Sequence, residues 1–533
     1  MLTLKKGLCI TAVLAASVSP ASAQDTAMPA AAEMEQAEKG VAVSEPVLPI
    51  PQEPVLNTVP EEVKAKPEVK PDIVSMKTVD QIKSETSKSI KELFPVEKDQ
   101  SNSQFFRALA TAYDTNPTLK AARAELHSVF EALPQAESGW RPVVAAGADV
   151  TSSHVETNPG SSMSGTSKEA SLSLVQPLYR GGQTIANTNK AKNSIRAQLA
   201  AVDATEQGIL LQVATSYMNL LRDEALVRLS ENNRKVIAKQ SEATNERFKV
   251  GELTRTDVSQ AEARLAGAEA EVTVAKANLS TSRAIFEQMT GYRPEGDLSF
   301  PVVALDMPVS LDDAVALAEK WNPSVRAALH AHNAAQDDIS SKFGQLLPEI
   351  SVQGGVAKSY DPISGLYDDQ DSASVAVVAT VPLYEAGAVR SQIRGAKHVA
   401  SQRQAQIAEA TRAAREQVIS SWESLKAAEA EIKSREAQVE AAEVARFGVK
   451  EEANLGARTI LDTLDADQEV RDAQASLITA RRNEVVARFA LASALGILTP
   501  KTLGFSEKVP DYDREIEAVR HNYFGTDVDS LGN

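Results

Sequence analysis

The sequence has one cysteine in 533 residues, and it stands at position 9. A lone cysteine excludes disulfides, and its place near the N-terminus leaves the rest of the chain without thiolate metal sites or a cysteine nucleophile. Aromatic residues are 5% of the chain against 43% hydrophobic residues, so the apolar content is mostly Ala, Val and Leu. That composition suits long helices packed through small side chains better than a bulky core. Basic clusters are also missing. Lys and Arg number 56 against 72 Asp and Glu, a formal net charge of -16, and phosphate binding needs grouped cations, so no nucleic acid partner is expected. Beyond the N-terminal segment no apolar run approaches the ~20 residues of a membrane helix. Any membrane-spanning part must then be a β-barrel.

Chemistry-bearing motifs are equally scarce. There is no phosphate loop, dinucleotide fingerprint, zinc-protease helix or serine-hydrolase elbow. His330 and His332 are the one close histidine pair, and i, i+2 spacing on a helix points them apart. No catalytic residue, metal or cofactor is expected, and an envelope hydrolase regulated by coiled coils has no constellation to support it.

The chain opens with Lys5 and Lys6, a short apolar run and the small-residue site Ala21-Ser22-Ala23, the pattern of a secretory signal peptide over residues 1–23. Cleavage after Ala23 removes two lysines and no acid, moving the formal charge from -16 to -18. Cys9 lies inside the apolar run, too early to be the lipid-bearing first residue of a lipoprotein. Residues 24–100 carry prolines at 29, 46, 49, 51, 54, 60, 67, 71 and 95 among Glu, Lys, Ala and Val, a mixture that reads as a disordered leader. Residues 499–533 read as a polar tail without sustained periodicity.

Between leader and tail the chain repeats itself. Asn116-Pro117 recurs as Asn322-Pro323 at an offset of 206, and Gln176-Pro177-Leu178-Tyr179 answers Val381-Pro382-Leu383-Tyr384 at 205. Gly182 and Gly387, Gly251 and Gly456, Asp257 and Asp462, and Gly291 and Gly496 all keep 205. Two structural repeats follow, residues 101–300 and 301–498.

Within each repeat the periodicity changes in one order. Residues 103–138 and 310–346 read as helix, each broken at its Asn-Pro pair. The period then becomes two. Ile350, Val352, Gly354 and Val356 alternate with Ser351, Gln353, Gly355 and Ala357, and Ala373 to Val381 alternate likewise, predicting two strands of membrane length joined by a polar loop, Ser359 to Ser372. A weaker pair falls at 142–154 and 169–178. Proline-free runs follow, Gly181–Lys249 and Ala386–Asn454, each about 100 Å long as a helix at ~1.5 Å per residue. Each reverses at a glycine into a second helix with a coiled-coil seam. The first seam is Val258, Ala261, Leu265, Ala268, Val272, Ala275, Leu279, Ser282, Phe286 and Met289; its repeat equivalents depart from apolar character at Thr463 and Glu484.

Four strands cannot close a barrel, since the smallest membrane barrels use about eight. An open edge in lipid leaves backbone groups unpaired, so the strands must be completed by other subunits. Tyr179 and Tyr384, where strand gives way to helix, suit the membrane interface; simple packing at a strand end is the alternative.

Lys249 to Leu265 (KVGELTRTDVSQAEARL) and Asn454 to Val470 (NLGARTILDTLDADQEV) resemble the two helical hairpin tips of the TolC family, and the duplicated order strand, strand, long helix, tip, helix covers about residues 103–497. The resemblance implies a mainly α fold with membrane β: a homotrimer whose outer-membrane β-barrel, four strands per subunit and twelve in all, continues into a long periplasmic α-helical barrel. It implies a passive, gated exit duct for efflux or type I protein secretion. The partners would be a periplasmic adaptor, an inner-membrane transporter of the RND, MFS or ABC type, and outer-membrane lipid. Carried over, Asp462 and Asp465 ring the pore constriction, Thr256, Asp257 and Arg458 form the gate network, and Gly251 and Gly456 mark the adaptor-docking tips. A tyrosine that the family pattern places three residues before the second tip glycine is Ala453 here, so the resemblance does not carry that latch hydrogen bond over. Independently of any family, Asp462 and Asp465 lie i, i+3 at a helix start, where a solvated N-terminal turn is the plain reading; around a threefold axis their mutual repulsion is expected to raise some of their pKa values. Gly251 and Gly456 are needed for chain reversal alone, and Arg255 reads as a solvated charge. The competing reading is a soluble periplasmic coiled-coil adaptor or scaffold, which leaves the alternating strands unexplained.

Overall fold

The computed structural model describes residue 81 and residues 104–294, 298–301, 305–363 and 367–526. The signal peptide and all of the leader except residue 81 lie outside the described residues. Each repeat begins with paired short helices: α1 (Gln104–Thr115), α2 (Pro117–Phe130) and α3 (Ala132–Glu137) in the first, α6 (Leu311–Trp321) and α7 (Pro323–Gly344) in the second. The Asn-Pro breaks fall as the sequence predicts, and each has a second use. Asn116 Oδ1 caps α2 by accepting from Thr118 N at 2.9 Å, while its Nδ2 donates to Met289 O at 3.3 Å. Asn322 accepts from Ser324 N at 2.9 Å and donates to Ala494 O at 3.0 Å. One amide thus starts a helix and satisfies a carbonyl orphaned at the end of another.

The strands are β1 (Val143–Thr157), β2 (Ser161–Arg180), β3 (Glu349–Ile363) and β4 (Tyr367–Thr380), all antiparallel in one sheet of order β1-β2-β3-β4. The register puts Val144, Leu174, Gly354 and Val375 side by side, with Ala146, Leu172, Val356 and Ala373 in the next row of that face. Ile350, Val352, Val377 and Ala379 continue it. The opposite face carries Gly147, Ser171, Ser173, Ser351, Gln353, Gly355 and Ser374. One face is therefore mainly apolar, broken by Gln176 in the Val352 row, over about 20 Å of strand at ~3.3 Å per residue, and the other is mostly small and polar, with Val143, Val175 and Val378 at its helix-proximal end. The side chains of the first face are bare: Val375 is 82% and Val377 71% exposed.

Both hairpins are longer than the periodicity predicts. The loop expected at Ser359 to Ser372 is largely strand, with Lys358 reaching Asp369 and Asp371 across the ladder at 3.6 and 3.4 Å, and in the first repeat pairing runs on to Thr157 and Ser161. Once the strands leave the apolar band neither face needs alternation, so the period-two signal stops while backbone pairing and cross-strand charge pairs continue.

From the sheet the chain enters α4 (Gln183–Lys249), returns through α5 (Arg255–Thr290), and repeats the excursion as α8 (Ala388–Asn454) and α9 (Ile460–Ala494). α4 and α8 have 67 residues each, about 100 Å of helix. The first seam is buried at Val258, Ala261, Ala268, Val272, Leu279, Ser282 and Phe286. Ser282, polar in an apolar seam, donates to the buried Asp223 carboxylate on α4. Glu484 is held by Arg488 at 2.6 Å, and Thr463 Oγ1 donates to Ile460 O at 2.7 Å. α9 buries a second side as well, with Ile478, Val485 and Phe489 turned into the rest of the subunit, because it packs on α4 as well as α8.

Midway along the helices Phe105 meets Tyr217 and Phe489 edge-on at 5.1 and 5.5 Å. The few aromatics are concentrated in this collar. The tail is not the featureless segment its polarity suggests. It forms α10 (Tyr512–Arg520), whose Tyr512, Ile516 and Val519 pack on the collar core. Their i, i+4, i+7 spacing marks the buried stripe of an amphipathic helix, too short to register as periodicity over a 35-residue segment.

Candidate functional site

The two hairpin tips are built alike. Gly251 and Gly456 sit at φ +83° and +80°, the left-handed conformation that glycine adopts without cost. Glu252 N donates to Arg247 O at 3.0 Å and Ala457 N to Glu452 O at 2.9 Å, closing each first helix with the six-to-one bond of a Schellman turn. Val250 and Leu455, just before the glycines, are 73% and 81% exposed.

Each returning helix opens with a capping box. Thr254 N and Oγ1 donate to Asp257 at 2.9 and 2.8 Å, and Thr459 does the same to Asp462 at the same distances. Reciprocally, Asp257 N and Asp462 N donate to the threonine hydroxyls at 3.3 and 3.2 Å. These donations hold both carboxyls below the usual aspartate range. Burial opposes this weakly at both. Within one subunit, then, hydrogen bonds to the charged form set the direction at Asp462, and the rise expected around a threefold axis would have to come from the carboxylates of neighbouring subunits. The signal was present in the sequence as Thr-x-x-Asp just after each tip glycine, repeated at an offset of 205.

Within one subunit the three gate-network residues do not meet. Asp257 is engaged by Thr254, Arg458 donates through Nε to Glu452 at 2.8 Å, and Thr256 is exposed. Glu452 also raises the Arg458 guanidinium pKa, through its hydrogen bond first and its charge second. Asp462 is half-buried and Asp465 exposed, and they bond to different partners. Asp465 accepts from Arg264 Nη2 on α5 at 2.6 Å. Sequence reading missed Arg264, because nothing along the chain shows which α5 residue lies opposite a position 201 residues away. Arg471 on α9 reaches back to Glu271 on α5 at 3.3 Å. Two ion pairs of opposite polarity thus join the hairpins. Tyr179 ends β2 at 41% exposure, and Tyr384, past β4, is 83% exposed beside Leu383 at 89%.

Farther from the tips a cavity of about 390 Å³ lies between α4, α8 and α9. Arg446 spans it to Glu443 at 2.6 Å and Asp467 at 3.7 Å, and burial pushes both carboxyls up. This is a half-exposed ion-pair tie in which Arg446 of α8 joins Glu443 on its own helix to Asp467 on α9. Among the described residues no cluster of three or more His, Cys, Asp or Glu is placed to hold a metal, and no helix is long and apolar enough to cross a membrane.

The sequence profile described as outer membrane efflux protein matches residues 108–292 and 314–497, the two repeats in turn. The chain is 31% identical over 419 residues to the outer membrane efflux protein BepC of Brucella suis biovar 1, covering 78% of this chain and 91% of the relative. It is 27% identical over 402 residues to the outer membrane protein TolC of Escherichia coli, with 73% and 81% covered. Among solved structures, the Campylobacter jejuni CmeC outer membrane channel superposes with a TM-score of 0.67 at 15% identity, over 88% of this chain and 98% of that one.

Proposed function

The chain belongs to the outer membrane efflux protein family, and from that premise we propose that its gate is an intersubunit device at the two hairpin tips. The protein is an outer-membrane channel for efflux or secretion, and transport through it is passive. Three copies would give twelve strands closing one barrel and twelve long helical segments continuing it. The observation that carries this reading is the sheet with one apolar face and two open edges, β1 and β4. In lipid those edges cannot stay unpaired, and a soluble scaffold would have no use for the apolar face.

Six carboxylates, from Asp462 and Asp465 of three subunits, would ring the periplasmic end and attract cations. Thr256, Asp257 and Arg458 are apart within a subunit, so their contacts belong between subunits, where Arg458 trades Glu452 for the next tip. An adaptor gripping the exposed tips around Gly251 and Gly456 would compete for the same groups, and an inner-membrane RND, MFS or ABC transporter would supply the energy.

Substituting Asp257→Ala with Arg458→Ala is expected to raise single-channel conductance in planar bilayers by roughly two- to fivefold, the range over which exposed charge contacts move an equilibrium. Unchanged conductance would remove the gate assignment. The double change Asp462→Ala and Asp465→Ala is expected to weaken cation selectivity and block by multivalent cations. Asp465→Ala alone should do more than Asp462→Ala alone, because it also releases Arg264 as a free positive charge. An unaltered reversal potential in a salt gradient would refute the ring.

A further inference from the structure

The C-terminal segment makes its contacts in a directed sequence. Phe505 packs on Tyr113 at 5.8 Å and Tyr512 on Phe130 at 6.4 Å. Arg520 then grips Glu137 through Nε at 3.0 and 3.1 Å, and the Arg141 guanidinium lies 3.9 Å over the Tyr523 ring. The partner numbers climb from 113 to 130, 137 and 141, and β1 begins at Val143. The tail therefore runs from the collar to the foot of the sheet. There it leaves Phe524 90% and Tyr523 53% exposed, and Trp140, which precedes the Arg141 that stacks on Tyr523, is 44% exposed. Trp140 is tied to the sheet, its carbonyl accepting from Gln176 Nε2 at 2.9 Å, three residues before Tyr179.

Tyr523 is covered on one face by Arg141 and meets His521 through its hydroxyl at 3.2 Å, but the 90% exposed Phe524 that follows a short helix clamped by charge pairs has no folding reason to be there. Tyr523 is held against Arg141, two residues before β1 begins, which puts these rings next to the start of the sheet, and amphipathic or apolar rings are favoured at the boundary between headgroups and acyl chains. We propose that the C-terminal segment is a membrane anchor, in which Tyr523 and Phe524 enter the periplasmic-side lipid boundary beside Trp140. The inference rests on the reading that the sheet spans the bilayer with Tyr384 at its interface. Arg141 has a specific part in it. By stacking on Tyr523 it fixes the direction in which the chain leaves α10 and so carries Phe524 to the membrane level.

With its one cysteine at position 9, inside the expected signal peptide, the exported chain can be labelled at single introduced cysteines. Phe524→Cys, Tyr384→Cys and Val250→Cys, each carrying a nitroxide, are compared in trimers reconstituted into phospholipid vesicles by power-saturation EPR with oxygen and a water-soluble nickel chelate. Greater access to oxygen than to nickel at 524, as at 384 and opposite to 250, is the expected result. Nickel-dominated access at 524 with a lipid-like value at 384 overturns the anchor and leaves the interface reading standing. Nickel-dominated access at both overturns both. Low access to either reagent at 524 would mean burial against protein and would also overturn the anchor. Arg141→Ala is expected to shift 524 toward nickel access without moving 384; a 524 signal unaffected by it would refute the guiding role of Arg141.

Discussion

Replacing Gly181 by alanine is expected to destabilise each subunit by on the order of 4 kcal/mol, adding about 1–3 for strained backbone to a similar overpacking cost. Gly181 turns β2 into α4 at φ +57°, and a Cβ there would overlap Gly344 O and stand 2.9 Å from Leu347 Cβ. The second repeat isolates the cause. Ala386 occupies the equivalent position at φ +54°, so alanine tolerates the angle where no neighbour intrudes. Gly182→Ala is the internal control: it sits at φ +77° with nothing within 4 Å of its added Cβ and should cost only about 1 kcal/mol. The check is the temperature at which the trimer is lost on heating. A Gly181 variant as stable as the Gly182 variant would mean that the strand-to-helix junction is looser than described.

The second large effect is expected at the collar. Glu206 is 7% exposed and accepts from Tyr113 Oη at 3.0 Å and Arg123 Nη2 at 3.2 Å. Burial pushes its carboxyl up despite both donors, and burial likewise pushes the Tyr512 phenol up to about 12. Arg123→Ala strands a buried carboxylate and should cost about 3 kcal/mol, the lower end for a broken buried pair because Arg123 keeps 16% exposure. A group whose folded pKa is raised adds stability below its unfolded pKa and loses it as pH rises through the folded value. Without Arg123 that rise is larger, so the defect should be greater at pH 8 than near pH 5. Thermal inactivation of the variant at the two pH values checks the sign. A defect independent of pH would show that Glu206 is neutral in the wild-type collar.

Much of this architecture is legible along the chain because long helices and lipid-facing strands are local patterns repeated twice. The offset of 205 brings Gly251 and Gly456, and Asp257 and Asp462, into equivalence before any coordinate is considered, and the seam from Val258 to Phe286 is buried where its spacing puts it. Local pattern fails where a partner comes from elsewhere in the chain. Ser282 breaks the seam because Asp223 needs its hydroxyl, and Arg264 has no local mark because its partner is on the other hairpin. The polar parts of the hairpins hide their strands, since nothing there alternates. The tip chemistry divides similarly. The capping boxes are readable as Thr-x-x-Asp, whereas the proposed meeting of Thr256, Asp257 and Arg458 would involve neighbouring subunits, which one chain's sequence does not arrange.

A sheet with one greasy face and two unfinished margins has to be completed by copies of itself. Mass measurement of the purified exported chain in detergent or lipid nanodiscs, with conductance recorded on the same preparation, tests this most directly. The account predicts three chains per particle and discrete channel openings. A single chain that remains in aqueous buffer without detergent and conducts nothing would contradict it.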